Sequence, residues 1–134
     1  MTIAILAGEI NLVFDSPVGP LPNIRAGKLR AFATTGRRRS LSLPDVPTVT
    51  ETGVANFDYE SWNGAVAPAG TPRDIVQRLN AEVVKAVAIP DVRDRLIAIG
   101  YEPRSTSSAD FEALIASDLQ RFGKFVKEVG LKLD

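Results

Sequence analysis

The apolar and polar positions along the chain fall into short blocks, most of them spaced as in helices. Ile3, Ile5 and Leu6 precede Gly8 and read as the last turn of a helix closed by a left-handed residue. From Glu9 to Asp15 the pattern changes to alternation, with Ile10, Leu12 and Phe14 pointing one way and Val13 the one apolar intruder. This predicts a strand with at least one buried face. Asp15-Ser-Pro-Val-Gly-Pro20 ends it, because two prolines and a glycine cannot continue a ladder. A short helix is expected over Leu21 to Ala26, closed by Gly27, and a compact strand over Leu29 to Ala33. Ser40 to Asn56 reads as long coil, with Pro44 and Pro47 framing Asp45 and Gly53 following Glu51. Coil of that length is often functional or wraps another element. Phe57 to Ala67 reads as a third strand, passing through Tyr59, Trp62 and Val66.

The second half is helical. Thr71 can cap, Pro72 suits a first helical position, and Asp74 places a carboxylate in the first turn. Ile75, Val76, Leu79, Val83 and Val87 mark one face of that helix. Pro90 interrupts, and a second helix is expected from Asp91 to Ile99, with Val92 and Leu96 inward and Gly100 at its end. Tyr101 to Pro103 is a short extended link. Ser107 and Asp110 have capping-box spacing, with Asp in the usual Glu place, ahead of a last helix running to about Val129 and closed by Gly130. The order is an α/β pattern that looks incomplete, since three strands cannot easily present covered edges beside so many helices.

Composition narrows the chemistry. The 134 residues are enough for one ordinary domain, and sixteen basic residues balance sixteen acidic ones. No net field therefore draws the chain to nucleic acid or anionic lipid. The chain has no cysteine and no histidine. That excludes disulfides, thiol nucleophiles, thiolate or imidazole metal sites, and every relay built on histidine. No run approaches the roughly 18 consecutive apolar residues of a membrane span. The opening residues lack a basic start and carry too short an apolar run for an export signal. Either the protein stays in the cytoplasm or its natural start lies elsewhere.

Three residues stand out as candidates for ligand contact. Asp15 and Ser16 sit where a strand's carboxyl end becomes a loop, the usual ligand position in open α/β sheets. Ser16 and neighbouring amides could donate to a carboxylate, and Asp15 could hold an ammonium group or an ordered water. Turn-starting Asp and Ser are also common for purely local reasons, so both readings stand. Trp62, the only tryptophan, could line a pocket or pack in the core. The Arg37-Arg-Arg39 run, with Arg25, Lys28 and Arg30 upstream, reads as a solvated loop, given the zero net charge and absent aromatic interleaving. Glu51, Asp45 and Asp58 form no recognisable carboxylate pair, and no catalytic constellation emerges.

Several segments together resemble a known family. Gly8-Glu-Ile-Asn-Leu-Val-Phe-Asp15, Gly27-Lys-Leu-Arg-Ala31, Leu43-Pro-Asp-Val-Pro-Thr48, Glu51-Thr-Gly53 and Ser61-Trp-Asn-Gly64 through Ala67-Pro-Ala-Gly-Thr-Pro72 follow in order. Arg121-Phe-Gly-Lys-Phe-Val-Lys127 continues the match into the last helix. This resembles the carboxyl-terminal part of the extracytoplasmic solute receptors of tripartite tricarboxylate transporters, the Bug-type receptors. The resemblance implies part of a two-lobed α/β periplasmic binding protein fold of type II, incomplete here. Residues 1–60 would end the second lobe, and residues 61–134 would supply a crossover strand and helices packing on the first. It implies a periplasmic, non-enzymatic receptor without cofactor. Its partners would be a small organic carboxylate and the membrane subunits of the transport system, with no nucleic acid. Asp15 and Ser16 fall on the family's cleft-facing loop, where Ser16 stands in place of the common Asn. Trp62 is carried as a third ligand-contact candidate.

Two other functions compete. A cytoplasmic effector domain of a transcription regulator shares the two-lobed architecture but needs a helix-turn-helix segment, which this sequence lacks. A small enzyme would have to use carboxylates or Tyr59 and Tyr101. For the chain by itself, apolar helix faces between residues 72 and 129 without a partner sheet are expected to favour self-association and weak ligand binding.

Overall fold

The computed structural model describes residues 1–131. Five helices form: α1 (Thr2–Leu6), α2 (Leu21–Arg25), α3 (Arg73–Ala88), α4 (Pro90–Ala98) and α5 (Ser108–Glu128). All five lie where the periodicity places them, and their ends follow local chemistry. At the ends of α1, α2, α4 and α5 the same paired closure recurs, in which two successive amides fold back onto carbonyls of the last turn. After α4, Gly100 N–H donates to Ile97 O at 3.0 Å and Tyr101 N–H to Leu96 O at 3.0 Å. These are the two bonds of the Schellman motif, which satisfies carbonyls the helix leaves open. Ser107 caps α5 by accepting from Asp110 N–H at 3.1 Å, and its hydroxyl donates to Asp110 Oδ2 at 2.7 Å.

Two details differ from expectation. The Thr71 hydroxyl donates to Pro68 O at 2.8 Å and closes the preceding turn, and Thr71 stands two residues before the first residue of α3. Val76 N–H donates to Pro72 O at 3.1 Å, so Pro72 stands just outside α3, whose first residue is Arg73. Pro90 does not merely interrupt. It opens α4 at the first helical position, where a missing N–H is harmless, with Ile89 extended before it.

The expected strands are the larger correction. Glu9 to Asp15, Leu29 to Ala33 and Phe57 to Ala67 form no ladder among the described residues. The one bridge is parallel and isolated, between Thr34 and Thr48. There Thr34 N–H donates to Pro47 O at 2.8 Å, and Val49 N–H to Thr34 O at 2.9 Å. Tyr59 N–H adds a bond to Thr35 O at 2.9 Å. Alternation reports which side chains share a face, whereas a strand exists only when a neighbour accepts its backbone bonds. The described residues supply that neighbour only near Thr34.

The chain divides into two compact units. The first contains Met1–Val66 and Ala88–Pro103, hence α1, α2 and α4. Its apolar centre is Leu21, at 1% exposure the only fully buried large side chain among the described residues. Around it lie half-buried apolar side chains, among them Val13, Ile24, Val46, Leu96 and Ile97, and a set of polar groups. Glu102 Oε1 accepts from Ser40 Oγ and Leu41 N–H, both at 2.7 Å, and Ser40 Oγ lies 2.9 Å from Ser42 Oγ. Ser40 and Ser42 are buried, so these bonds replace the water they lost. Glu51 takes a double bond from Arg39, with Nη2–Oε1 at 2.9 Å, and accepts from Thr48 N–H at 2.7 Å. Glu51 N–H in turn donates to Thr48 Oγ1 at 3.1 Å. Arg39 first and the Thr48 amide second hold the Glu51 carboxyl down at about 2, against an ordinary 4.5. Arg37 pairs with Asp58. The long coil is therefore ordered by its own charged and hydroxyl side chains. Two arginines of the basic triplet serve that end.

The second unit contains Ala67–Val87 and the chain from Arg104 on, hence nearly all of α3 and all of α5. Asn80 Nδ2 on α3 donates to Thr106 O just before α5, at 3.0 Å. No residue of either helix is fully buried. The apolar stripes read from the sequence are largely open to water, as expected of faces without a partner sheet, with Leu79 at 54% and Leu119 at 70% exposure, while Val76, Val87, Phe111, Ile115 and Val126 are half-buried. Ile75, Val83, Phe122 and Phe125 are also exposed. Ion pairs on the polar faces, such as Lys85–Glu82 and Arg121–Asp118, are surface contacts worth about 0.3–0.5 kcal/mol each. They cannot replace a missing apolar core.

Candidate functional site

Asp15 and Ser16 fall together in one exposed turn between the extended run from Glu9 and helix α2. Ser16 N–H donates to Asp15 Oδ1 at 2.8 Å, the local bond expected of a turn-starting aspartate. The other Asp15 oxygen and the Ser16 hydroxyl take no protein partner among the described residues. Pro17 has no N–H, and Pro17 O accepts from Leu21 N–H at 2.9 Å, which leads the turn into α2. The amides of Val18 and Gly19 meet no acceptor among the described residues. The turn thus contains a hydroxyl and two backbone donors without a protein acceptor among the described residues, close in sequence to one carboxylate.

Such an array can hold a small anion through backbone and hydroxyl donors without an arginine. Asp15 can orient a water or an ammonium group at its edge. The turn carries no group poised for covalent chemistry, and no cluster of side chains able to hold a metal ion occurs among the described residues.

The turn is fixed by contacts that its own sequence does not announce. Leu21, directly after it, is the buried anchor of the unit. At Gly19 a side chain's first carbon would stand 3.3 Å from Thr2 Oγ1 on α1. At Gly100, after α4, it would stand 3.0 Å from Val18 N. Arg25 Nη1, on the last turn of α2, donates to Ala98 O at 2.9 Å. Gly100 was legible only as a helix end, and its approach to Val18 has no sequence signal, because the two lie on distant segments.

Trp62 is placed elsewhere. It lies in the extended run after Tyr59 and is 41% exposed, so it is not a core residue in this unit.

The architecture is that of a part of a periplasmic binding protein. The chain is similar to Rpa4515 of R. palustris, solved with adipate, with a TM-score of 0.85 and 30% identity. It covers 96% of this chain and 43% of that one. The periplasmic binding protein BugD is similar with a TM-score of 0.81 and 26% identity, over 97% of this chain and 44% of that one. MatC from Rhodopseudomonas palustris, solved with malate, matches at 39% identity and a TM-score of 0.63, over 73% of this chain and 33% of that one.

Sequence comparison narrows the class to a family. A model described as the tripartite tricarboxylate transporter family receptor matches residues 2–131, and the chain belongs to that family. Among curated relatives, a protein of the UPF0065 group from Pseudomonas sp. (strain P51), in the tcbD-tcbE intergenic region, is 37% identical over 95% of the chain. The chain spans 38% of that relative's length. The family is one of substrate-binding receptors, not of enzymes. No helix among the described residues is long and apolar enough to cross a membrane.

Proposed function

We propose that this chain is the carboxyl-terminal portion of a periplasmic receptor that binds a small organic carboxylate and delivers it to the membrane subunits of a transport system. The observation that carries the reading is the Asp15–Gly19 turn, whose Ser16 hydroxyl and Val18 and Gly19 amides lack protein acceptors. Recognition through hydroxyl and backbone donors needs no arginine clamp, which agrees with the side chains around the turn. Adipate and malate in the two similar R. palustris structures support a carboxylate as the solute class.

In this reading residues 1–60 complete a second lobe, and residues 61–134 cross back and cover the first. Ser16, Val18 and Gly19 take the solute carboxylate, Asp15 orients a bridging water, and the exposed Trp62 ring lies along the solute's carbon chain. The extended runs that form no ladder and the exposed stripes of α3 and α5 are the surfaces that the remainder of a full-length receptor would complete.

Calorimetric titration tests this. Adipate or malate added to the 134-residue chain should give no micromolar binding, because one lobe surrounds only part of a solute. The same sequence extended to the length of its relatives should bind one of them or a related dicarboxylate. Micromolar binding to a monodisperse 134-residue chain would show that no second lobe is needed. In the extended protein, undiminished binding after Asp15→Ala with Ser16→Ala would remove the turn as the site, and Trp62→Ala decides the ring's part in the same way.

A further inference from the structure

We infer that the carboxyl end of α4, through Gly100, sets the position of the Asp15–Gly19 turn, making Gly100 a positioning residue for solute binding. The inference rests on the receptor reading above for its ligand and on geometry alone for the support.

Gly100 is buried and has a φ of +98°. A side chain's first carbon there would lie 3.0 Å from Val18 N, 3.1 Å from the Pro17 carbonyl carbon and 3.2 Å from Val18 Cα. All three are backbone atoms. The end of a flexible side chain could swing aside, but here the turn itself would have to move. Val18 N is one of the two turn amides without an acceptor among the described residues, so the displacement falls on that amide directly.

The positive φ does not by itself mark this role. Gly8, Gly27 and Gly130 close helices with φ of +75°, +69° and +65°, and a side chain at any of them would meet nothing within 4 Å. Only Gly100 combines the helix-closing conformation with close approach to another segment's backbone. Its own amide and that of Tyr101 are spent on Ile97 O and Leu96 O, so the α4 end offers the solute no donor from these two residues. It acts through Val18. The Arg25 bond to Ala98 O ties α2 to the same end of α4, so the segment from Pro17 to Arg25 is held at both ends by one short stretch. A binding turn held by such support keeps its donors in place, and loosening supporting groups commonly weakens a site by 10-fold or more.

The test compares Gly100→Ala with Gly130→Ala in the 15N-labelled 134-residue chain. Both variants strain a helix-closing glycine, and only the first meets the turn. The expected result is that Gly100→Ala moves the Val18 and Gly19 amide resonances in the free chain while Gly130→Ala leaves them in place. Unmoved Val18 and Gly19 resonances in Gly100→Ala, or equal movement in Gly130→Ala, would overturn the inference. Should Gly100→Ala fail to fold, the unaltered chain decides: a nuclear Overhauser contact between the Gly100 α-protons and the Val18 amide proton is required, and its absence overturns the support. Millimolar adipate should then shift Ser16, Val18 and Gly19 in the unaltered chain and in Gly130→Ala, with an apparent Kd roughly 10-fold higher in Gly100→Ala. An unchanged Kd despite moved resonances would overturn the positioning role. If neither adipate nor malate shifts any turn amide in the unaltered chain, the positioning role for solute binding falls, whereas the receptor reading is decided by titration of the extended protein and the comparison in the free chain still decides the support.

Discussion

The two units of this chain are built from different materials. In the first, one leucine is fully buried among half-buried apolar side chains, and buried serines, a shared glutamate, an arginine–glutamate pair and a glycine in contact with a neighbouring turn add directional order. In the second, α3 and α5 are long, well formed by local rules, and carry continuous apolar stripes that remain open to water. Polar networks are directional and close over short distances, so the first unit can hold its turns with little apolar area. Apolar stripes gain free energy only when another surface covers them, so the second unit holds a large unrealised driving force. The unit with the smaller apolar stripe therefore holds the candidate site in a defined shape. The unit with the larger one awaits a partner surface.

Truncating one leucine from each unit tests this contrast most strongly. Leu21→Ala should destabilise the first unit by about 2–5 kcal/mol, because it empties the one fully buried side-chain position. Leu119→Ala should change stability by no more than about 0.5 kcal/mol, because that side chain is already in water. Amide hydrogen exchange in α2 and α5 reads the two effects separately. Sedimentation velocity across a concentration series should show reduced self-association for Leu119→Ala, and equal losses of stability in both variants would break the contrast.

A smaller effect is expected where α5 depends on local chemistry. Ser107→Ala removes the acceptor for Asp110 N–H and should destabilise the start of α5 by about 1 kcal/mol, read as faster exchange at Asp110 and Phe111. The first unit's polar network should not respond. A change in exchange around Ser40 would show the two units to be coupled.

The smallest effect is a pH dependence confined to the long coil. The Glu51 carboxyl is held at about 2 in the folded chain against an ordinary 4.5. A lowered folded value means the stabilisation is fully present above 4.5 and is lost as pH falls towards 2. Protection of the Thr48 and Glu51 amides, taken against the intrinsic exchange rate at each pH, should therefore fall between pH 4.5 and 2, and Glu51→Gln should flatten that profile. A profile that stays steep in Glu51→Gln would assign the acid sensitivity to another group.

Much of this was legible in the sequence at the level of single helices. Gly8, Gly27, Gly100 and Gly130 were marked as helix ends, and each closes one. Ser107 was read as a cap and is one. Asp15 and Ser16 were singled out together, and they share one exposed turn. The strands failed for a physical reason: the alternation at Ile10, Leu12 and Phe14 describes a face, and a ladder needs a second segment to pair with. Thr71 lies one residue too early for the capping position, because α3 begins at Arg73, and its hydroxyl closes the turn onto Pro68 O.

The sequence by itself determined the five helices, the Ser107 cap, the glycine closures, the absence of histidine and cysteine chemistry, and the family. Each of these depends on residue type or on spacing within a few residues, where local sterics and hydrogen bonding act alone. The tertiary structure decided the rest. It brought Glu102 to Ser40, Arg39 to Glu51, Arg25 to Ala98 and Gly100 to Val18. These are relations between segments far apart in the chain, and no residue pattern within one segment encodes its distant neighbour.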